Sequence, residues 1–277
     1  MKYSNYSLFS SDHAHKGLEY AIKHTLELGF DSVEHIENAL CDGGKLRCAS
    51  DVKEMKKLLS DNDLSVTCYS LLVDLLSEDK PAIMDRAFRH IEYAAELGAP
   101  FFHHTLVPGY DLAKKVLPLD EVLKIISDDA EKLARKCNEC GIVCLYEPQG
   151  LYFNGVDGVR AILSEMKSRG CKVGICGDTG NSIFVDCPPF DIYENFAEDI
   201  KHIHVKDYYW GRDIPSAKYS STSGKTISEA PLGSGDSEVY KCLKYLPEYD
   251  GAMSFEFSDD DAEMKRSIAW VKEITNK

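Results

Sequence analysis

The sequence lacks the long apolar run that a membrane-spanning helix needs. Nowhere do about 18 consecutive apolar residues occur. The opening segment Met1–Tyr20 also lacks the basic start and apolar stretch that are typical of an export signal. These absences favour a cytoplasmic protein without a membrane partner.

Basic residues are also scarce. Lys and Arg number 32 against 46 Asp and Glu, and no basic run interrupts this acidic background. A surface of this charge repels a phosphate backbone instead of attracting it. We therefore expect no nucleic-acid partner.

No Pro-, Gly- or Ser-rich linker divides the 277 residues, of which 44% are hydrophobic. We therefore expect one domain over residues 1–277. The ten cysteines are spread along the chain, and the C-x-x-C pair Cys137 and Cys140 has no second pair at zinc-finger spacing. In a reducing cytoplasm such cysteines behave as small hydrophobic residues.

The chain does contain a repeated unit, in which an amphipathic helix is followed by a turn and a short apolar strand. Gly29, Gly98, Gly141 and Gly170 follow four of the helices, where a left-handed C-cap favours Gly. The pattern predicts eight strands, near Tyr3–Phe9, Ser32–Ile36, Ser65–Ser70, Phe101–Thr105, Ile142–Tyr146, Lys172–Gly177, His202–Lys206 and Ala252–Phe257. It predicts eight helices after them, near Gly17–Leu28, Asp51–Asp61, Asp79–Leu97, Leu119–Cys140, Gly155–Arg169, Asp191–Asp199, Ser237–Tyr245 and Asp259–Thr275.

Strict alternation of strands and helices indicates a parallel sheet that is covered by helices. Eight such units predict an α/β protein with a single (β/α)8 TIM barrel. The alternative is an open doubly wound sheet. That fold is disfavoured because no Gly-x-Gly-x-x-Gly turn follows the first predicted strand.

Charged residues end four consecutive predicted strands, which as buried parallel strands should be apolar: Glu147, Asp178, His204 and Glu256. Barrel enzymes build their sites at this end of the strands, so the four side chains should share one arc of the mouth. Three carboxylates this close repel one another unless a cation lies among them. The set predicts one divalent metal ion, with Mn²⁺, Mg²⁺ or Co²⁺ favoured and Zn²⁺ tolerated. The alternative, that each acid caps the following helix, does not require acids in four consecutive units.

The seventh predicted strand carries several polar side chains on one face. Its period-two alternation places His202, His204 and Lys206 toward the barrel interior, while Ile203 and Val205 face the helices. Lys206 lies nearest to the mouth and is a candidate for binding a substrate oxygen or for acid/base chemistry. His202 lies deeper, where it either binds substrate or is a hydrogen-bonded core histidine.

The fourth predicted strand ends in two histidines. We expect His104 to face the mouth beside Glu147, as a hydrogen-bond donor to substrate or as an acid/base, with a structural role as the alternative. Its neighbour His103 is expected to face outward.

The segment from Tyr208 to Ala230 is polar and too long for an ordinary connection between a strand and a helix. Long segments at a barrel mouth often act as lids. We expect at least one of Tyr208, Tyr209 and Trp210 to stack on the apolar face of a sugar ring, with anchoring of the segment as the alternative.

These motifs resemble the xylose isomerase-like TIM barrel superfamily, the sugar phosphate isomerase/epimerase group. The most specific parts are residues 202–207 (His-Ile-His-Val-Lys-Asp), residues 231–236 (Pro-Leu-Gly-Ser-Gly-Asp) and residues 254–256 (Ser-Phe-Glu). The resemblance covers nearly the whole chain. It implies that the metal is held by Glu147, Asp178, His204 and Glu256.

Some positions depart from individual members of this superfamily. Where the ketose 3-epimerases carry a second Glu and a His, this chain has Phe153 and Asn181. We expect Asn181 to contact substrate from that position. The endonuclease members need additional metal ligands, including an Asp-Arg-His segment, and the matching region 219–230 contains no His. This difference excludes a role in DNA repair.

The resemblance implies a sugar isomerase or epimerase that acts on a ketose or a related hydroxy-ketone through an enediolate. Glu147 and Glu256, on opposite sides of the arc, would act as the acid/base pair. If the enediolate instead expels a β-substituent, the protein is a lyase or dehydratase of a keto-sugar or inosose, with His104 or Lys206 protonating the leaving group. A third alternative is a non-catalytic subunit that binds a sugar or a metal. Homo-oligomerisation is left open.

Overall fold

The structure is a computed structural model. It describes residues 1–6, 16–34, 41–42, 45–46, 49–110, 117–214, 217–257 and 260–275. For residues 41–42, 45–46 and 49–51 it describes the backbone only. The strands in chain order are β1 (Lys2–Asn5), β2 (Ser32–Val33), β3 (Cys41–Asp42), β4 (Lys45–Leu46), β5 (Ser65–Val66), β6 (Tyr69–Leu71), β7 (Phe101–His104), β8 (Val143–Tyr146), β9 (Val173–Asp178), β10 (Ile200–Val205), β11 (Tyr208–Trp210), β12 (Tyr219–Ser220), β13 (Thr226–Glu229) and β14 (Ala252–Phe255). The α-helices are α1 (Leu18–Leu28), α2 (Ala49–Asp61), α3 (Lys80–Leu97), α4 (Leu119–Glu139), α5 (Val156–Ser168), α6 (Pro189–Phe196), α7 (Val239–Tyr245) and α8 (Asp261–Thr275).

Nine parallel strands form one sheet in the order β5-β2-β1-β14-β10-β9-β8-β7-β6. The two end strands, β5 and β6, belong to one stretch of chain and are separated only by Thr67 and Cys68. Because β5 pairs with β2 and β6 pairs with β7, this stretch joins both edges and the sheet closes into a barrel. The predicted (β/α)8 TIM barrel is confirmed, and its third predicted strand is split in two.

The helices lie outside the barrel and pack on it through a large apolar core, which Ile203 and Val205 of β10 join from the sheet. This arrangement confirms the alternation predicted for that strand. The predicted turns are confirmed too, because each of the four glycines has a positive φ, which a side chain with a Cβ rarely adopts. Their φ angles are 92° at Gly29, 80° at Gly98, 76° at Gly141 and 78° at Gly170. Residues 7–9 and 35–36 of the first two predicted strands lie outside the described residues.

Two small sheets accompany the barrel sheet. One is the hairpin of β3 and β4, and the other is a three-stranded antiparallel sheet in the order β11-β13-β12. The second sheet is built from the segment that the sequence predicts to be a polar lid without strands. In the described ranges, no helix is both long and apolar enough to cross a membrane.

Candidate metal centre

Four polar side chains meet at the carboxyl ends of adjacent barrel strands. Glu147 directly follows β8 and Asp178 ends β9, while His204 lies in β10 and Glu256 directly follows β14. These strands are neighbours in the sheet, so parallel pairing brings their ends together. One ligand atom from each residue lies within 4.8 Å of the others. The structure thus brings the four predicted ligands together, and their binding of a metal remains a prediction.

Backbone N–H groups of the turn that follows β9 orient the carboxylate of Asp178. Its Oδ1 accepts hydrogen bonds from the backbone N–H groups of Gly180 at 2.7 Å and Asn181 at 2.5 Å. Its buried Oδ2 lies 3.0 Å from Nζ of Lys206, with which it forms an ion pair. Burial raises the pKa of Asp178 to about 7; Lys206 opposes this rise and Glu147 adds to it. A bound cation would stabilise a carboxylate in these surroundings.

His204 faces carboxylates through both ring nitrogens. Its Nδ1 lies 2.7 Å from Oε1 of Glu147 and 3.3 Å from Oε2 of Glu256. Its Nε2 lies 2.9 Å from Oε1 of Glu34. Nδ1 is therefore the nitrogen that faces the predicted ligands Glu147 and Glu256. Three carboxylates and one imidazole form a mainly oxygen ligand set, which fits a divalent cation such as Mn²⁺ or Mg²⁺.

Lys206 places its ammonium group among the same carboxylates. Its Nζ lies 2.6 Å from Oε2 of Glu256 and 3.0 Å from Oδ2 of Asp178. It also donates a hydrogen bond of 3.1 Å to Oδ1 of Asn181. Lys206 and Asn181 thus lie beside the predicted ligands, where a substrate oxygen would bind. Their contact with substrate remains a prediction.

His202 lies one layer deeper in the barrel than His204. Its Nε2 lies 2.6 Å from Oε2 of Glu34 and 3.0 Å from Oγ of Ser254, and its side chain has no exposed surface. This position matches the alternative of a hydrogen-bonded core histidine. It does not support the prediction that His202 contacts substrate.

The orientation predicted for the two histidines of β7 is wrong. His103 points into the barrel, where Nδ1 lies 2.9 Å from Oγ of Ser70 and Nε2 lies 3.3 Å from Oε2 of Glu147. His104 points toward the helices, and its Nδ1 donates a hydrogen bond of 2.8 Å to the carbonyl O of Thr105. His104 therefore does not face the mouth as the predicted acid/base. The strand reads Phe-Phe-His-His, so each face carries one aromatic residue and one histidine, and alternation alone does not distinguish the faces.

Glu34 is a site residue that is not among those predicted from the sequence. It directly follows β2 and its side chain has no exposed surface. Burial alone raises the pKa of Glu34, but His202 and His204 outweigh this effect and hold the pKa well below its ordinary value. The sequence does carry a signal for it, because Ser32 and Glu34 alternate with apolar Val33 in the same way as the polar residues of β10.

Aromatic side chains that were not predicted border the cluster as well. The ring of Tyr6, just after β1, stands edge-on to His204 with 4.9 Å between ring centroids. Phe184 stacks on Tyr110 at 4.1 Å and stands edge-on to Tyr208 at 5.7 Å. These rings give the mouth an apolar wall beside its charged groups.

Tyr208, Tyr209 and Trp210 form β11, the first strand of the three-stranded sheet. A Cβ added at Gly180 would lie 2.7 Å from the ring of Tyr208, so this ring lies against the turn that follows Asp178. The other two rings are covered by cations, with Arg212 at 4.4 Å over Tyr209 and Lys225 at 4.2 Å over Trp210. Tyr208 therefore lies beside the cluster, whereas the surroundings of Tyr209 and Trp210 match the alternative of anchoring the segment.

If this sheet closes over the mouth, bound substrate should slow amide hydrogen exchange in β11 and β13 and leave α4 unchanged. Closure would exclude water from the site and hold the sheet against the barrel. The check is hydrogen exchange followed by mass spectrometry with and without substrate. Equal exchange in both states contradicts a lid, and exchange that follows protein concentration indicates a subunit interface instead.

Comparison with known proteins identifies the family of this chain. None of the curated protein sequences matches the chain significantly. Among solved structures, 3-keto-D-glucoside 4-epimerase YcjR from E. coli matches with a TM-score of 0.71 and 19% identity, covering 99% of each chain. The probable 3-DHS dehydratase AsbF from Bacillus anthracis matches with a TM-score of 0.73 and 16% identity, covering 100% of each chain.

A third structure, a xylose isomerase-like TIM barrel protein from Mycobacterium smegmatis in complex with magnesium, has a TM-score of 0.69 and 17% identity. The match covers 93% of this chain and 87% of the Mycobacterium smegmatis chain. At these identities the structural likeness establishes the fold alone. The family model described as xylose isomerase-like TIM barrel matches residues 22–274. The chain therefore belongs to the xylose isomerase-like TIM barrel family.

Proposed function

We propose that this protein is a metal-dependent sugar isomerase or epimerase that acts on a ketose or a related hydroxy-ketone. The observation that supports this most is the convergence of Glu147, Asp178, His204 and Glu256 at the barrel mouth. A divalent cation held by these four residues would supply a Lewis acid that lowers the cost of negative charge on the substrate oxygens. The magnesium complex and the epimerase among the structural neighbours agree with this proposal.

In this proposal the protein's own carboxylates move the proton. Glu256 is the more accessible of the two, with 26% of its side chain exposed, and it takes the proton from the carbon next to the carbonyl group. Glu147 is 2% exposed and returns a proton from the opposite side of the arc. Return to the former carbonyl carbon, with the hydroxyl proton of the first carbon passing to the former carbonyl oxygen, gives isomerisation. Return to the other face of the same carbon gives epimerisation. Lys206 and Asn181 orient the substrate oxygens.

A lyase or dehydratase of a keto-sugar or inosose is the second candidate. The ammonium of Lys206, 2.6 Å from Glu256, is placed to protonate a leaving group after the same first step. Phe153, which stands where ketose 3-epimerases have a second Glu, is 2% exposed and belongs to the apolar core. A probable dehydratase is also among the structural neighbours.

The test is exchange of a substrate C–H proton with deuterated solvent, measured over a panel of ketoses, inososes and keto-glycosides. We expect metal-dependent exchange with at least one member of the panel. An isomerase or epimerase returns an isomeric product that carries solvent deuterium, whereas a lyase returns a product that has lost water or another β-substituent. If the metal-loaded protein binds a sugar but exchanges no proton, the non-catalytic alternative replaces both candidates.

A further inference from the structure

Glu34 sits beneath the proposed metal site at the centre of a set of hydrogen bonds. Its Oε1 accepts hydrogen bonds from Oγ of Ser70 at 2.6 Å and from Nε2 of His204 at 2.9 Å. Its Oε2 accepts hydrogen bonds from Nε2 of His202 at 2.6 Å and from Oγ of Ser254. We call these five residues the Glu34 network. All of them are buried in the barrel interior.

The number of donors in the Glu34 network indicates that its carboxylate is ionised. A buried carboxylate is costly unless donors satisfy its lone pairs. Here each oxygen accepts two hydrogen bonds, and the four donors come from three different strands, β6, β10 and β14. These four donors therefore stabilise a negative charge on Glu34 in the barrel interior.

The contact with Glu34 keeps a proton on Nε2 of His204. Nε2 lies 2.9 Å from Glu34 and donates to it, whereas Nδ1 lies 2.7 Å from Glu147, so a cation that binds among Glu147, Asp178 and Glu256 would take the lone pair of Nδ1 while Glu34 keeps the proton on Nε2. Nδ1 is the nitrogen that faces Glu147 and Glu256. Carboxylates in this relation to a metal-bound histidine fix its tautomer and ring orientation and increase its basicity.

We infer that Glu34 is a positioning residue, which holds His204 in the tautomer that binds a divalent cation through Nδ1 and so strengthens cation binding. This inference rests on the metal site of the proposed function. Glu34 touches none of the other three predicted ligands in the contacts of the described residues, so it acts through His204 alone. His202 and Ser254, which bind the second oxygen, hold the carboxylate in place.

The first test measures Mn²⁺ binding to metal-free protein without substrate, from the electron paramagnetic resonance signal of free Mn²⁺. Glu34→Gln removes the charge and presents an amide N–H₂ to a site lined with donors, so we expect the Kd to rise by about 10–100-fold. Ser254→Ala is the matched control, because it removes one donor of the network and keeps both the carboxylate and its contact with His204. We expect a smaller rise in this control.

The second test needs no variant and reads the tautomer directly. In wild-type protein loaded with Zn²⁺, the ¹⁵N resonances of His204 should show a proton on Nε2 and the metal on Nδ1. This readout also serves if Glu34→Gln does not fold.

The outcomes separate the two proposals. An unchanged Mn²⁺ affinity in folded Glu34→Gln overturns the role of Glu34 and leaves the metal site standing, whereas a proton on Nδ1 of metal-loaded wild type removes His204 from the ligand set and overturns both. A wild-type protein that binds neither ion overturns both.

Discussion

In the Glu256→Gln variant we expect kcat/KM to fall by about 10²–10⁴-fold, the contribution of a positioned acid or base, while the fold stays intact. The amide is nearly isosteric with the carboxylate but cannot accept a proton. The buried ammonium of Lys206 loses its contact with Glu256 but keeps its 3.0 Å ion pair with Asp178, so no buried charge is left without a partner. The measurement is steady-state kinetics on the substrate identified by the exchange panel, with thermal unfolding to check the fold.

Two controls are needed to assign this loss to the proton transfer. The metal content of Glu256→Gln must be measured, because loss of a ligand would produce the same inactivity for another reason. Glu139→Gln, an exposed carboxylate at the end of α4, makes the same chemical change far from the mouth and should keep full activity. Activity near wild type in Glu256→Gln would mean that Glu256 is neither the base nor an essential ligand.

Removal of the metal should have an equally large effect. After exhaustive chelation we expect activity to fall by at least about a thousandfold, since a metal ion contributes several kcal/mol and about 1.4 kcal/mol corresponds to a factor of ten. Readdition of Mn²⁺, Mg²⁺ or Co²⁺ should restore it, and elemental analysis should find one divalent ion per chain. The measurement compares activity and bound metal in the same samples.

Asp178→Asn is the matched variant for the metal experiment. It removes one carboxylate charge from the cluster, and the amide is a poorer ligand for a hard cation. We expect this variant to regain little activity at metal concentrations that restore the wild type. Full activity in protein without any bound metal would reject the proposed centre.

The sequence predicts the barrel and the meeting of the four proposed ligands because both depend on local patterns. In β10, apolar Ile203 and Val205 separate the polar residues, so alternation identifies the inner face. In β7, both faces are equally apolar, and only the paired strands decide that His103 faces inward. The orientation of that strand is therefore a tertiary property that its own residues do not encode.

Other features depend on partners that are distant in the chain. Glu34 is ionised and buried only because Ser70, His202 and Ser254 arrive from other strands. The three-stranded sheet requires β11 to pair with β13 across 15 intervening residues, from Gly211 to Lys225. No tight-turn motif of a two-residue hairpin marks such a pairing.

The lower end of the barrel interior affects how a cation and a substrate exchange with solvent. Within the described residues, Cys68, Leu145 and Cys176 form a buried apolar cluster beside His202, and the partly buried Phe101 and Val143 pack against it. If this apolar cluster closes the barrel axis from beneath, a cation at the proposed centre leaves through the mouth. If substrate binds over that same route, as the proposed function requires, departure becomes an ordered process with substrate leaving first. A chelator should therefore strip the metal more slowly from the substrate-bound protein, even where substrate does not change the metal's intrinsic affinity.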